Sequence, residues 1–291
     1  MARVHDVPFV KGHGTQNDFI ILPDFDGALE LTPQRIQWLC DRRAGIGADG
    51  VLRVVRTENH PEFADYANIA EFFMDYRNAD GSIAEMCGNG ARVFVRFLDA
   101  TGAITSDTTV IATRAGLIEA TLVKGGSPSG EDDEVAIGMG MATTDHVPVP
   151  IEVTHGLNTW QATAVHVPNP HAVVFVDALD EVGDLIVAPT CSPRQAFPDG
   201  VNIEFAERLG DDHIRMRVHE RGVGETQSCG TGACAVAWAF ASSEPTRAID
   251  SYRVDVPGGT LTVHIASDGR LTLQGPAVLV ARGTFHWPRG L

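Results

Sequence analysis

Two cysteines in this 291-residue chain stand where a thiol could do chemistry. Cys87 and Cys229 each open the pattern Cys-Gly-x-Gly-Ala, as Cys87-Gly88-Asn89-Gly90-Ala91 and Cys229-Gly230-Thr231-Gly232-Ala233. The glycines strip side chains from the backbone around the sulfur, so another molecule can approach closely. An apolar run of helical character follows each motif, "ARVFVRFL" and "ACAVAWAFA". The first N–H groups of such a helix lack intrahelical acceptors, and its start carries about half a positive charge. That favours a bound anion and lowers the pKa of a thiol. One copy alone reads equally well as a helix start packed on a neighbour, with cysteine as filler. Two copies 142 positions apart, close to half the chain, point to two similar halves with one functional thiol each.

If both helix starts face one cleft, a thiol flanks each side of the carbon next to a bound carboxylate. One sulfur, as thiolate, removes the α-proton from one face. The other, as thiol, returns a proton to the opposite face, and configuration inverts with no cofactor. The pair shares a single proton. N–H groups from the two helix ends stabilise the charge that builds on the carboxylate.

The surrounding elements must hold these helices in place. Thr32-Pro33 predicts a capped helix running to about Arg43. "VLRVVR" and "AEFFMDYRN" read as strands, and "TTVIATRAGLIEATLV" as a hairpin turning near Ala115-Gly116. The Gly- and Ser-rich, charged stretch from Gly125 to Glu134 is the best linker candidate. Beyond it lie many strands, among them "HAVVFVDA", "VNIEFAER" and "HIRMRVHER", then the second cysteine helix and further strands. The fold class is α+β rather than regular βαβ. The expected division is residues 1–130, with a C-terminal strand at about 275–291, for the half carrying Cys87, and 131–274 for the half carrying Cys229.

Composition removes several alternatives. A net charge of −16 argues against a nucleic-acid surface. No run reaches membrane-span length and the opening "MARVHDVPFV" lacks a leader's apolar stretch, so the expected location is cytoplasmic. The five cysteines include no Cys-x-x-Cys pair and no zinc-ligand spacing, so no metal is expected. Cys40 and Cys234 read as core, and Cys191 as an inert loop thiol. Only Lys11 and Lys124 are available as Schiff-base lysines, and neither has a phosphate cradle after it, which argues against a pyridoxal cofactor. "GIGADG" (45–50) matches a dinucleotide fingerprint, but a helix precedes it and a strand follows, the reverse of what that motif needs.

The chain resembles the diaminopimelate epimerases, pyridoxal-independent isomerases of lysine and cell-wall precursor biosynthesis. The likeness runs nearly end to end, through "KGHGTQNDF", "DRRAGIGADG", "RNADGSIAEMCGNGARV", "NPHAVVFV", "GVNIEF", "HERGVGETQSCGTGACAVA", "VDVPGGTLTV" and "LQGPAVLVARGTF". It implies two similar domains, each a β-sheet wrapped around a central helix, with the active site in the cleft between them. It implies that Cys87 and Cys229 are the acid/base thiols that interconvert LL- and meso-diaminopimelate without a cofactor. Asn17, Asn78, Asn169 and Asn202 would hold the far end of the substrate, with Glu220 for its ammonium and Arg221 for its distal carboxylate. Gly88, Asn89, Gly230 and Thr231 would offer N–H groups to the reacting carboxylate, and His171 and Glu220 would tune the thiols. The implied partner is a small molecule, with no nucleic acid or membrane; the oligomeric state stays open, a homodimer included.

The chain departs from the family pattern at Gly50, where many members carry glutamine, and at Pro168, where glycine is common. The rival resemblance is to proline and hydroxyproline racemases, which usually carry histidine where Asn89 stands. Asn89 and the Glu220-Arg221 pair favour the diaminopimelate reading. A thiol redox protein and a non-catalytic amino-acid-binding module are further alternatives. The first would be expected to show Cys-x-x-Cys, and the second would not need two thiols.

Overall fold

Period-2 alternation makes strand the commonest element of this chain. In "GLIEATLV" the buried positions are Ile118, Ala120 and Leu122, with Leu117 and Glu119 exposed between them, so one face meets the core. The computed structural model describes residues 6–125, 133–144, 149–243, 249–288 and 290–291. The linker candidate lies mostly outside the described residues.

Up to the division, the elements are β1 (Val7–Gly14), β2 (Asn17–Pro23), α1 (Pro33–Cys40), β3 (Gly50–Arg56), β4 (Phe72–Asn78), α2 (Gly88–Ala100), β5 (Thr108–Thr113), β6 (Gly116–Val123) and β7 (Glu134–Met141). There follow β8 (Ile151–His155), β9 (Asn158–Val167), β10 (Asn169–Val176), β11 (Thr190–Ser192), β12 (Asn202–Arg208), β13 (His213–Glu220) and β14 (Gly224–Thr226). Last come α3 (Gly230–Ser243), β15 (Ser251–Val256), β16 (Gly259–Ile265), β17 (Arg270–Pro276) and β18 (Val278–Phe285). The chain forms two compact units, one of residues up to Ile137 together with Pro276–Leu291, the other of Gly138–Gly275.

Each unit repeats one wiring scheme. In the first, β1 and β2 form a hairpin, β2 runs parallel to β3, β3 antiparallel to β4, and β4 parallel to β5, which turns back into β6. In the second, β9 and β10 form the hairpin, β10 runs parallel to β12, β12 antiparallel to β13, and β13 parallel to β15, which turns back into β16. The cysteine helix sits at the same step in both. Strands of its own unit surround each helix: β1–β4, β6 and β18 pack on α2, and β9, β10, β12, β13, β15 and β16 pack on α3. α2 buries every residue from Gly88 to Val95, including the Arg92 guanidinium. α3 meets its strands with Ala233, Cys234, Ala235, Val236 and Ala237, small side chains that let them come close.

Several sequence expectations meet detail here. Thr32 caps α1 as expected, accepting the Arg35 N–H, but the helix stops at Cys40 rather than Arg43. The Asp41 carboxylate takes the Arg43 and Ala44 N–H groups in a tight turn and ends it. The fingerprint-like "GIGADG" leads into β3 and not into a helix. Cys40 and Cys234 are buried core thiols, and burial pushes the Cys40 thiol up to about 12. Cys191 lies on strand β11 instead of in a loop, half-buried, with its thiol pushed up to about 11 by burial.

Candidate active site

In the first unit, Cys87 is the N-cap of α2. Its backbone is extended, at φ −142° and ψ 117°, and its Sγ accepts the Gly90 N–H at 3.4 Å. The sulfur thus fills the role a serine oxygen usually plays at a helix start. Gly88 and Asn89 follow in the first turn, where N–H groups have no intrahelical acceptor.

The β1–β2 hairpin brings Asn17 to this thiol. Its two-residue turn, Thr15 and Gln16, holds φ at 48° and 61°, a left-handed conformation that non-glycine residues rarely adopt. Arg92 braces the turn from within, donating to Thr15 Oγ1 at 3.3 Å. Asn17 Oδ1 lies 3.7 Å from Cys87 Sγ and accepts from Asn89 Nδ2 at 3.2 Å, while Asn17 Nδ2 donates to Asp49 Oδ2 at 2.8 Å. Asp49 is itself held by Arg42 and the Asp18 N–H. Lys11 pairs with Asp18 at 2.6 Å and donates to the Gly47 carbonyl. Burial alone would raise the Asp18 carboxyl, but Arg42 and Lys11 hold it far below the usual carboxylate range. Asn78 holds the turn after β4, donating from its backbone to Ser82 O and from Nδ2 to Ser82 Oγ, both at 3.0 Å.

In the second unit, Cys229 immediately precedes α3 and is buried, its Sγ 3.4 Å from Thr231 Oγ1. A helix start is expected to acidify a thiol, yet here the opposite holds. Burial, then the Glu220 and Glu204 carboxylates, push the Cys229 thiol well above its ordinary range, and the Thr231 hydroxyl and Gly232 N–H offset little of that. Burial also raises Glu220, against hydrogen bonds from Thr226 and Cys229. The surroundings of Cys229 thus favour its neutral thiol form.

Beside Cys229 runs a chain of three groups, with Glu204 and His171 buried and Asn169 half-buried. Glu204 Oε1 lies 2.6 Å from His171 Nδ1, and His171 Nε2 lies 2.9 Å from Asn169 Oδ1. Asn202 Oδ1 accepts the Arg221 N–H at 2.9 Å. The Arg221 stem crosses Gly200, where a Cβ would come within 2.8 Å of its Cδ, and Nη1 donates to Asp199 O at 2.9 Å. That leaves most of the exposed guanidinium available to a ligand.

The structure thus gathers Asn17, Cys87 and Asn89 in one half-site. In the other it gathers Asn169 with His171, Asn202 with Arg221, and Glu220 with Cys229 and Thr231. Sequence reasoning missed Glu204, Asp49 and Arg92. The signal for Glu204 was a lone carboxylate two residues after Asn202, hence on the same strand face. The Gly50 departure has a steric basis, since a Cβ there would sit 2.7 Å from both Arg77 O and Tyr76 Cε2. The Tyr76 ring fills the place a longer side chain would need. Among the described residues no three His, Cys, Asp or Glu side chains are grouped to hold a metal ion, and no helix is long and apolar enough to cross a membrane.

A hydroxyproline epimerase from Agrobacterium vitis, solved with bound trans-4-hydroxy-L-proline, superposes with a TM-score of 0.64 at 16% identity, covering 96% of this chain and 91% of that one. At that identity the likeness shows the shared fold. A Streptomyces coelicolor protein named diaminopimelate epimerase is 50% identical over 98% of both chains. A Thermobifida fusca protein of the same name is 45% identical over 94% of this chain and 96% of its own. The family model described as diaminopimelate epimerase matches residues 9–144 and 163–280. With a family match across most of its length and relatives this similar, the chain belongs to the diaminopimelate epimerase family.

Proposed function

We propose that this isomerase interconverts LL- and meso-diaminopimelate by proton transfer at the α-carbon between Cys87 and Cys229, serving lysine and cell-wall precursor synthesis in the cytoplasm. The observation that carries this reading is the repeated placement of a cysteine immediately before a buried glycine-rich helix, in two units of the same wiring. The neutral Cys229 thiol is the acid of the first turnover, and Cys87 is then the base. The roles exchange for the opposite isomer. N–H groups of Gly88, Asn89, Gly230 and Thr231 receive the charge that develops on the α-carboxylate. Arg221 offers a planar fork to the distal carboxylate, and Glu220 faces the distal ammonium. Asn17, Asn78, Asn169 and Asn202 complete the polar wall. The scheme moves protons only and needs no electron sink.

Heavy water tests it. The returning thiol has exchanged with solvent before substrate arrives, so early product carries deuterium at the inverted carbon while recovered substrate carries little. Replacing either cysteine by alanine should suppress inversion by about 10²–10⁴-fold. Equal early labelling of substrate and product, or full inversion in either variant, refutes the two-thiol scheme.

A further inference from the structure

The sheet of the first unit has a second face, and charge is gathered there. On β3, Leu52 faces α2, since a Cβ at Gly90 would meet its Cδ2 at 3.2 Å. The alternate residues Arg53 and Val55 therefore face away from the cysteine helix. The β3–β4 register sets Arg53 opposite Asp75 and Val55 opposite Phe73, on that same outer face. A cavity of about 330 Å³ opens here, with Arg53, Asp75, Arg77 and Arg114 in its wall. The second unit fills the matching place differently. The β2–β3 register sets Leu22 opposite Arg53, and the β10–β12 register sets Val174 opposite Phe205, 152 positions on along both strands. Phe205 is buried in an apolar cluster with Ile151, Val153 and Leu185. The repeated wiring thus accepts an apolar layer at this face and does not itself call for arginines.

Three guanidiniums meet two buried carboxylates, and arginine stays cationic in proteins. Asp24 accepts from Arg53 Nε at 2.7 Å and from the Ala28 and Leu29 N–H groups at 2.9 Å each, so Arg53 and its own loop occupy it. Asp75 is fully buried and accepts from Arg77 Nε at 2.8 Å and Nη2 at 3.2 Å. Burial alone would raise the Asp75 carboxyl, but Arg77 and Arg114 hold it below its ordinary range. At least one positive charge is left over, and Arg114 carries it. Its Nη1 lies 2.8 Å from Asp75 Oδ1 but is buried without an aligned acceptor, and its Nε and Nη2 meet none among the described residues. The Phe73 ring, 5.4 Å from the Arg114 Cζ, steadies one face of this guanidinium. Arg77 Nη1 likewise meets no acceptor among the described residues. Buried donors without partners are rare in folded proteins. Burial pulls the His60 ring in the cavity wall below its ordinary range, so it adds no charge at neutral pH. Glu62, also in the wall, is exposed and pairs with none of the three arginines.

We propose that this cavity is a ligand site apart from the two thiols, taking a small organic acid whose carboxylate sits on Arg114 and Arg77 and whose short branched body lies against Leu29, Val55 and Ile83. Guanidinium forks match the two oxygens of a carboxylate. One leftover positive charge suits a monoanion better than phosphate. The volume stands at the low end for ligand pockets, which leaves room for a few atoms beyond the head group.

Saturation-transfer difference NMR of isovalerate titrated into the full chain at neutral pH reads the affinity. Acetate has the same head group without the branched carbons and should compete about 10-fold less well. Inorganic phosphate should compete no better than acetate. Arg114→Gln should weaken isovalerate about 10-fold or more, the scale of a hydrogen bond to a charged group. Glu62→Gln removes a nearby carboxylate and should tighten binding about 2-fold. Ile83→Asp separates loss of the site from loss of the fold. Ile83 is 59% exposed, so the fold tolerates the change, while a carboxylate beside the cavity should weaken isovalerate as Arg114→Gln does. No saturable binding to the parent, an affinity unchanged in both weakening variants, or phosphate displacing isovalerate better than acetate does, overturns the proposal.

Discussion

Gly90 and Gly232 occupy the same place in the two cysteine motifs, yet alanine should be tolerated at one and not at the other. At Gly90 the new Cβ meets Leu52 Cδ2 at 3.2 Å, the end of a flexible side chain, and Cys87 Cβ at 3.4 Å. A shift of a few tenths of an ångström relieves both, and alanine returns up to about 1 kcal/mol of helix propensity. Gly90→Ala should therefore stay within about 1 kcal/mol of the parent. At Gly232 the Cβ lands 2.8 Å from Glu204 Oε1 and 3.3 Å from Cys229 Cβ. That oxygen has nowhere to go, since Glu204 is fully buried and held at 2.6 Å by His171. Either the Glu204–His171 hydrogen bond yields or the start of α3 lifts and carries Cys229 with it. Overpacking of this kind costs about 1–3 kcal/mol, and breaking a buried hydrogen bond adds to that. For a protein of this size the Tm of Gly232→Ala should fall by roughly 5–10 °C. Its kcat should fall at least tenfold, because a displacement of about 1 Å is enough to misalign a reacting group. Thermal unfolding by circular dichroism and a chiral assay of both isomers, run on the two variants side by side, check this. Equal effects at the two glycines, or a Gly232→Ala protein that melts and turns over like the parent, would refute the steric reasoning.

Three further outcomes are expected. Arg221→Lys keeps its charge but loses the planar fork, so kcat/KM on diaminopimelate should drop at least tenfold while Tm moves little; an unchanged kcat/KM removes Arg221 from the substrate. With one equivalent of iodoacetamide at pH 8, half-buried Cys87 should be alkylated first and activity lost with it. Cys40, pushed up to about 12, is then thiolate only at about one part in 10⁴, so peptide mapping that finds label on Cys40 first contradicts the burial argument. Folding should also weaken as pH rises. Cys40 has a raised folded pKa, so above about pH 9 the unfolded chain ionises while the folded one does not. That costs about 1.4 kcal/mol per pH unit until the folded thiol itself ionises near 12, and Cys40→Ala should flatten the decline in urea midpoint between pH 8 and 10.

How much of this was legible beforehand depended on whether a feature lay along the chain or across it. The cysteine helices could be read because the motif and the apolar run behind it are contiguous, and because they occur twice. The Thr32 cap is likewise local, and so is the hairpin turn, expected near Ala115-Gly116 and found one residue earlier, between the paired Thr113 and Gly116. The end of α1 was misjudged because the Asp41 carboxylate takes N–H groups that helical periodicity would have continued. The layer beneath each thiol was not legible. Glu204 reaches His171 only through the parallel register of β10 and β12, and Asp49 reaches Asn17 across 32 residues. Arg92 sits inside an otherwise apolar helix, and nothing local says that it braces a hairpin turn rather than facing solvent. The rise in the Cys229 thiol was missed for the same reason, since what outweighs the helix start is burial by packing around it, with two carboxylates from other strands adding to it.

The pairing of β18 with β1 bears on how this protein emerges from the ribosome. Val7 pairs with Phe285 and His13 with Val278, so the first strand of the first unit has its partner almost the whole chain away. Synthesis runs at about 5–20 residues per second, and N-terminal domains usually fold first. Here the order is inverted. Residues 138–275 form an uninterrupted stretch that can fold as soon as it clears the exit tunnel. The earlier-made unit must wait through that whole interval with one edge of β1 open. An unpaired edge strand is an invitation to aggregation, and β1 carries Lys11 and two glycines along it, residues that make a poor template for another strand. The same closure makes the last strand a latch, because a chain halted before residue 278 would hold a finished second unit and a first unit that cannot close.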